Sequence, residues 1–181
     1  MTVINEKEIN SKTILRVAKL MALAARTAPK ARGVDNLEIV ILTDETIQKV
    51  AKHMIAHGKK YKMPFFLRDS ENILNSPAIV LIGSYIKSQG LKKCGMCGFK
   101  DCSTKNKHKD IPCVFNSNDL GIALGSAVSV ASQHHIDNRI MFSIGQSAIY
   151  LGLLGKNVKF AFGIPLSATS KNPFFDRPPV K

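Results

Sequence analysis

The sequence predicts a single layered domain of the α/β (α+β) class, and three observations predict it. Helical and strand patterns alternate along the chain, which requires helices packed over a sheet. The 181 residues suit one domain over 1–181, and a 45% apolar content is that of a globular chain. One stretch, about residues 87–116, lacks apolar periodicity and falls between a strand and a long helix, as an insertion within the domain.

Asn10 or Ser11 is expected to cap a first helix to about Thr27, with Ile14, Ala18, Met21 and Ala25 on one face. Pro29 ends it, because the residue before a proline is pushed out of the helical region. After a polar loop, Leu37–Leu42 reads as a buried strand, and Thr43 or Asp44 opens a second helix through about His57. Gly58–Met63 reads as a basic loop, Ser70–Leu74 as a helical turn and Ala78–Gly83 as a second strand. From Ser117 the pattern is strongly helical, with Gly121 and Gly125 expected to allow close packing, and His134-His135 ends it. Ile140–Phe142 is a short apolar segment, residues 143–154 a further helix and Val158–Gly163 a third strand. The tail from Ser167 shows no clear element and is expected to wrap a partner or another subunit.

All four cysteines lie within twenty residues, as Cys94-x2-Cys97-x4-Cys102-x10-Cys113. A Cys-x2-Cys step lets two thiolates on a tight turn face one metal centre, and the later two close the shell. Gly95 and Gly98 follow the first two cysteines, so backbone N–H groups can approach sulfur without a Cβ in the way. Disulfides are disfavoured, because the start Met1-Thr2-Val3-Ile4-Asn5 has no secretory character and a cytoplasmic location is expected. Zinc remains the alternative metal, although its usual arrangement has two Cys-x2-Cys knuckles. An iron–sulfur cluster tolerates uneven spacing, since its ligands bind different iron atoms; [4Fe–4S] fits at least as well as [2Fe–2S]. Cys94, Cys97, Cys102 and Cys113 are therefore the candidate metal ligands. His108 is a lesser candidate, and Met96 and Phe99 are expected to shield the site from water.

The formal charge is +13. The basic residues are spread along the chain with no stripe of interleaved aromatics and no tryptophan, which argues against nucleic acid. The densest run, Lys87, Lys92, Lys93, Lys100, Lys105, Lys107, His108 and Lys109, flanks the cysteines. It reads as a solvated surface or as a docking face for an acidic redox partner. No segment reaches the roughly 18–20 apolar residues of a membrane helix. No Gly-x-Ser-x-Gly, phosphate-loop or His-Glu-x-x-His motif occurs.

Cys94-Gly95-Met96-Cys97-Gly98-Phe99-Lys100-Asp101-Cys102, with Gly163-Ile164-Pro165-Leu166-Ser167-Ala168, resembles a prokaryotic family of ferredoxin-domain-containing proteins over nearly the whole chain. That resemblance implies a cluster-binding protein. The frame is similar to FMN-dependent nitroreductases: Ala24–Asn36 looks like their Ala-rich helix ending in Ala-Pro-Ser-x-x-Asn, and Asn118–His134, Gly145–Leu154 and Phe160–Pro165 look like their core helix and closing strand. This second resemblance implies a nitroreductase-like fold and an FMN-binding homodimer with oxidoreductase activity. The chain departs from it in having no Arg-x-Ser-x-Arg before Ser11, and in carrying Lys30 in place of a serine and a displaced Asn36. Arg26, Lys30, Arg32 and Arg177, with Arg16, are the candidate phosphate contacts.

The expectation is an iron–sulfur electron-transfer protein or small flavin/iron–sulfur oxidoreductase. Its rivals are a structural zinc module in a basic adaptor or nucleic-acid-binding protein, and an iron–sulfur sensor.

Overall fold

The computed structural model describes residues 2–175. The elements run α1 (Glu6–Thr27), β1 (Leu37–Leu42), α2 (Asp44–Lys60), α3 (Pro64–Leu74), β2 (Ala78–Tyr85), α4 (Cys102–Asn106), α5 (Val114–Gln133), β3 (Asp137–Asn138), α6 (Phe142–Tyr150) and β4 (Val158–Ser167). Among the described residues the strands form one antiparallel sheet in the order β1-β2-β4-β3.

The sheet is the middle of three layers. Ala78, Val80 and Ile82 of β2 face α1 and α5, where Ile14, Met21, Leu120 and Ala127 complete a core. Ile79 and Leu81 point the other way, against Met54, Phe66, Ile73 and Ile144 of α2, α3 and α6. With both faces covered, β2 is buried throughout its first seven residues, which is why its sequence is a continuous apolar run rather than an alternation. Each such side chain contributes about 1.5–3 kcal/mol on burial.

Several boundaries differ from those expected. The first helix begins at Glu6, because Asn5 accepts a hydrogen bond from the Lys7 N–H and Glu6 and Glu8 favour its positive end. Asn10 is inside that helix, donating to Glu6 and to the Ala168 carbonyl. Gly58 is helical and buried rather than a loop residue; a Cβ there would stand 3.0 Å from Phe66 and Leu67, so α2 and α3 pack at close range. The isolated turn at Ser70–Leu74 is the end of a helix that opens with Pro64 at its first position, where a missing N–H costs nothing.

Towards the carboxyl end, α6 stops at Tyr150, ahead of turns with Gly152 and Gly155 at positive φ, while β4 continues through Pro165 to Ser167. The expected packing role of Gly121 and Gly125 is not met: a Cβ on either would find no atom of the described chain within 4 Å. The tail packs on its own domain up to residue 175. Phe174 is 2% exposed, and its carbonyl accepts from Arg139.

Asp69 of α3, 4% exposed, accepts from the Ser143 hydroxyl at 2.6 Å and pins α6. Gly145 lies directly against β4, where a Cβ would fall 1.8 Å from the Ala161 carbonyl oxygen. These contacts fix β4, and with it β2, whose end leads into the cysteine segment.

Candidate metal centre

The chain leaves β2 through Ile86–Gln89 and turns with Gly90, Lys93, Gly95 and Gly98 all at positive φ. The Gly98 N–H donates to the Gly95 carbonyl at 2.9 Å, closing a tight turn around Cys97. Cys102 is the first residue of α4, which Asp101 caps by accepting from the Thr104 N–H at 2.7 Å. That backbone hydrogen bond holds the Asp101 carboxyl below the usual carboxylate range. Cys113 is the N-cap of α5.

All four thiols are free and line one pocket, with Leu91, Phe99, Val114 and Phe115 as its apolar wall. Cys113 is buried and the other three half-buried. Among the described residues no three His, Cys, Asp or Glu side chains converge so as to hold a single ion. The space that the four thiols share is small, about 20 Å³.

Two residues that the sequence did not single out organise this pocket. Asn116, 1% exposed, accepts at Oδ1 from the N–H groups of Cys113 (3.0 Å) and Lys87 (3.2 Å), and donates from Nδ2 to the Lys87 carbonyl (2.9 Å). Its own N–H donates to the Cys113 carbonyl at 2.9 Å. It therefore joins the two ends of the cysteine segment. Gln89, 5% exposed, lines the pocket with a side-chain Nε2 that has no hydrogen-bond partner. Its carbonyl accepts from Arg32 at 2.7 Å, and the neighbouring Ala31 N–H donates to Asp119 of α5.

Of the cations named for phosphate binding, Arg26 at the end of α1 and Lys30 and Arg32 in the α1–β1 connection each have a partner in the chain, while Arg16 lies within α1. Arg26 pairs with Asp35 and donates to the Leu37 carbonyl. Burial alone would raise the Asp35 carboxyl, but Arg26 and the Leu37 N–H outweigh it and its pKa lies below the ordinary value. Lys30 Nζ donates to the carbonyls of Ala25, Arg26 and Ala28 at 2.6–3.0 Å, capping α1; its pKa is lowered, chiefly by desolvation. Arg32 alone reaches the cysteine region. Arg177 lies outside the described residues.

Met96 does not cover the pocket, being 64% exposed, whereas Phe99 lines it and stacks on His108 with centroids 5.1 Å apart. Of the flanking lysines, Lys105 is only 3% exposed and does not belong to the solvated run.

The model of a family described as "Uncharacterized protein containing a ferredoxin domain" (DUF2148) matches residues 109–177, a span that includes Cys113 but not the other three cysteines. A protein from Archaeoglobus fulgidus, described as uncharacterized, is 41% identical over 187 residues, covering 98% of this chain and 99% of its own length. Among solved structures, nitroreductase CinD from Lactococcus lactis, in complex with nicotinic acid, is 14% identical with a TM-score of 0.60, over 94% of this chain and 82% of its own. A candidate nitroreductase from Desulfovibrio desulfuricans, in complex with FMN, is 13% identical with a TM-score of 0.58, over 91% and 80%. The fold is that of the nitroreductases, as the sequence resemblance implied.

Proposed function

The chain belongs to the family of proteins containing a ferredoxin domain, and from that premise we propose that Cys94, Cys97, Cys102 and Cys113 hold an iron–sulfur cluster through which the protein transfers electrons. The observation that carries the reading is the pocket itself: four thiols, an apolar wall and one buried amide donor without a partner. A single zinc ion needs four sulfurs about 2.3 Å from one point. In a cluster each iron takes one thiolate, which the uneven spacing Cys94-x2-Cys97-x4-Cys102-x10-Cys113 accommodates.

The donor set fits. The positive end of the 20-residue α5, whose N-cap is Cys113, offsets negative charge on that sulfur. Gln89 Nε2 supplies a hydrogen-bond donor where sulfide or thiolate would otherwise face an apolar wall. Phe99 and Leu91 exclude water from the inner side. A cluster held there would supply one-electron chemistry; the chain's own residues fix its ligands and set its surroundings. The exposed lysines at 92, 93, 100, 107 and 109 surround it and favour an acidic redox partner, chiefly by raising the association rate.

The fold also motivates a flavin, since the Desulfovibrio neighbour is in complex with FMN. In this chain Arg26, Lys30 and Arg32 are engaged by carboxylate and carbonyl groups, and as arranged they do not form a phosphate site. A homodimer is supported by the outward face of α5, where Gly121 and Gly125 expose backbone beside Ile122.

Anaerobic purification, with iron, sulfide, zinc and acid-released flavin quantified per chain, tests the reading. Near-equal iron and sulfide with a chromophore that bleaches on reduction and returns on oxidation is the expected result. One zinc and no iron would overturn it.

A further inference from the structure

A second cavity, of about 540 Å³, opens beside the cysteine segment, where the end of β2 meets the starts of β1 and β4. Lys87, Lys109 and Lys159 all line it. Among the described residues neither Lys87 nor Lys109 has an ion-pair partner. Lys159 has only a long contact, 3.9 Å, with Asp110, and both are exposed, so that pair is weak. The carboxylate on the rim, Asp35, is already matched by Arg26. Three lysines therefore line one cavity, and the carboxylates near it are Asp35, matched by Arg26, the exposed Asp110, and Glu38, which accepts from the lining Tyr85 at 2.6 Å.

Asn36 lines the same cavity and adds an independent sign. It is 6% exposed, and its carbonyl is fixed by the Tyr85 N–H at 3.0 Å. Its side-chain Nδ2 has no hydrogen-bond partner. A buried amide donor is rarely left unpaired in a native protein, so this one is open to an acceptor, whether a water or a ligand oxygen.

We propose that this cavity binds the phosphate group of a small molecule. Ammonium groups bind phosphate as point charges, and three lysines line the cavity. A phosphate offers several acceptor oxygens and up to two negative charges, which matches three lysines and an amide. The cavity is large enough for a ligand bigger than the phosphate itself. Lys87 is the residue that Asn116 ties to Cys113, so the ligand sits one side chain away from the thiol pocket. The site does not depend on which metal the thiols hold.

Isothermal titration calorimetry of the full chain, purified anaerobically with its native metal, tests this at low ionic strength with inorganic pyrophosphate as probe. One saturable site per chain is expected. Lys87→Gln with Lys109→Gln should weaken it at least tenfold. Lys92→Gln with Lys93→Gln removes the same charge elsewhere and should change affinity less than twofold. Asn36→Asp, which puts an acceptor where the donor stands, should also cost at least tenfold. If that variant melts early, the lysine pairs decide alone. No saturable heat, equal losses in the two lysine pairs, or malonate binding as tightly as pyrophosphate would overturn the proposal.

Discussion

Cys113 and Asn116 hold each other reciprocally: the Asn116 N–H donates to the Cys113 carbonyl at 2.9 Å, and the Cys113 N–H donates to Asn116 Oδ1 at 3.0 Å. The same side chain reaches 29 residues back to bind both backbone groups of Lys87. Asn116→Ala would strand the Cys113 N–H and the Lys87 backbone groups, at about 3 kcal/mol in all. Chemical denaturation should register that loss. Asn116→Asp, which keeps the acceptor and loses the donor to Lys87, should cost less and retain more metal per chain.

Removing metal should loosen residues 87–116 and leave the sheet folded, because the segment has little apolar packing while β2 and β4 are cored on both faces. Limited proteolysis after chelation should cut within the segment while far-ultraviolet circular dichroism is largely kept. Global unfolding in chelator would show that the segment is not an insertion on an independent frame.

Gly145→Ala should lower stability by about 3 kcal/mol, because its Cβ would collide with the backbone of β4 rather than with a side chain that can move. In a chain of this size that corresponds to a fall of roughly 10 °C in Tm. At Gly163 the nearest atoms to an added Cβ belong to the Ile144 side chain, at 2.3 Å and beyond, so Gly163→Ala should destabilise as well, but less.

Gly121→Ala and Gly125→Ala discriminate between a free and a covered face of α5. On a free helix face, each should stabilise by about 0.5–1 kcal/mol. If a second copy packs there, analytical ultracentrifugation should show weaker association instead.

His53 stacks on Tyr150 at 4.4 Å and lies 5.8 Å from the His57 ring. Desolvation first, and His57 second, lower its pKa below the ordinary 6.5. The unfolded chain thus binds more protons than the folded one between the two values, so this contribution to stability falls as pH drops below about 6.5 and is flat above it. Denaturation midpoints from pH 7.5 to 5 should show the decline, and His53→Phe should flatten it.

Much of the frame was legible because local chemistry and global packing agree. Leu37–Leu42 is a strand with the expected bounds, flanked by a polar loop and by the start of α2. The first half of α3 was hidden because Phe65, Phe66 and Leu67 show no clear period, and Pro64 reads as a breaker until it is seen at a first helical position. Cysteine spacing revealed the four thiols. Gln89 gave no local signal, since its importance comes from Arg32, 57 residues away, and from the pocket it faces. Asn116 did stand three residues after Cys113, the spacing of a capping box, but cysteine is not a usual cap residue.

The neighbouring strands β2 and β4 lie on either side of the cysteine segment, α5 and α6 in the chain. During synthesis β2 emerges without that neighbour, then all four thiols, and only much later the strand that completes the sheet beneath them. Pairings of such long sequence separation form slowly. The thiols consequently meet the cell's solutes, metal ions and oxygen alike, before the strand that closes the sheet exists, and whatever reacts with them first does so on an unfinished scaffold.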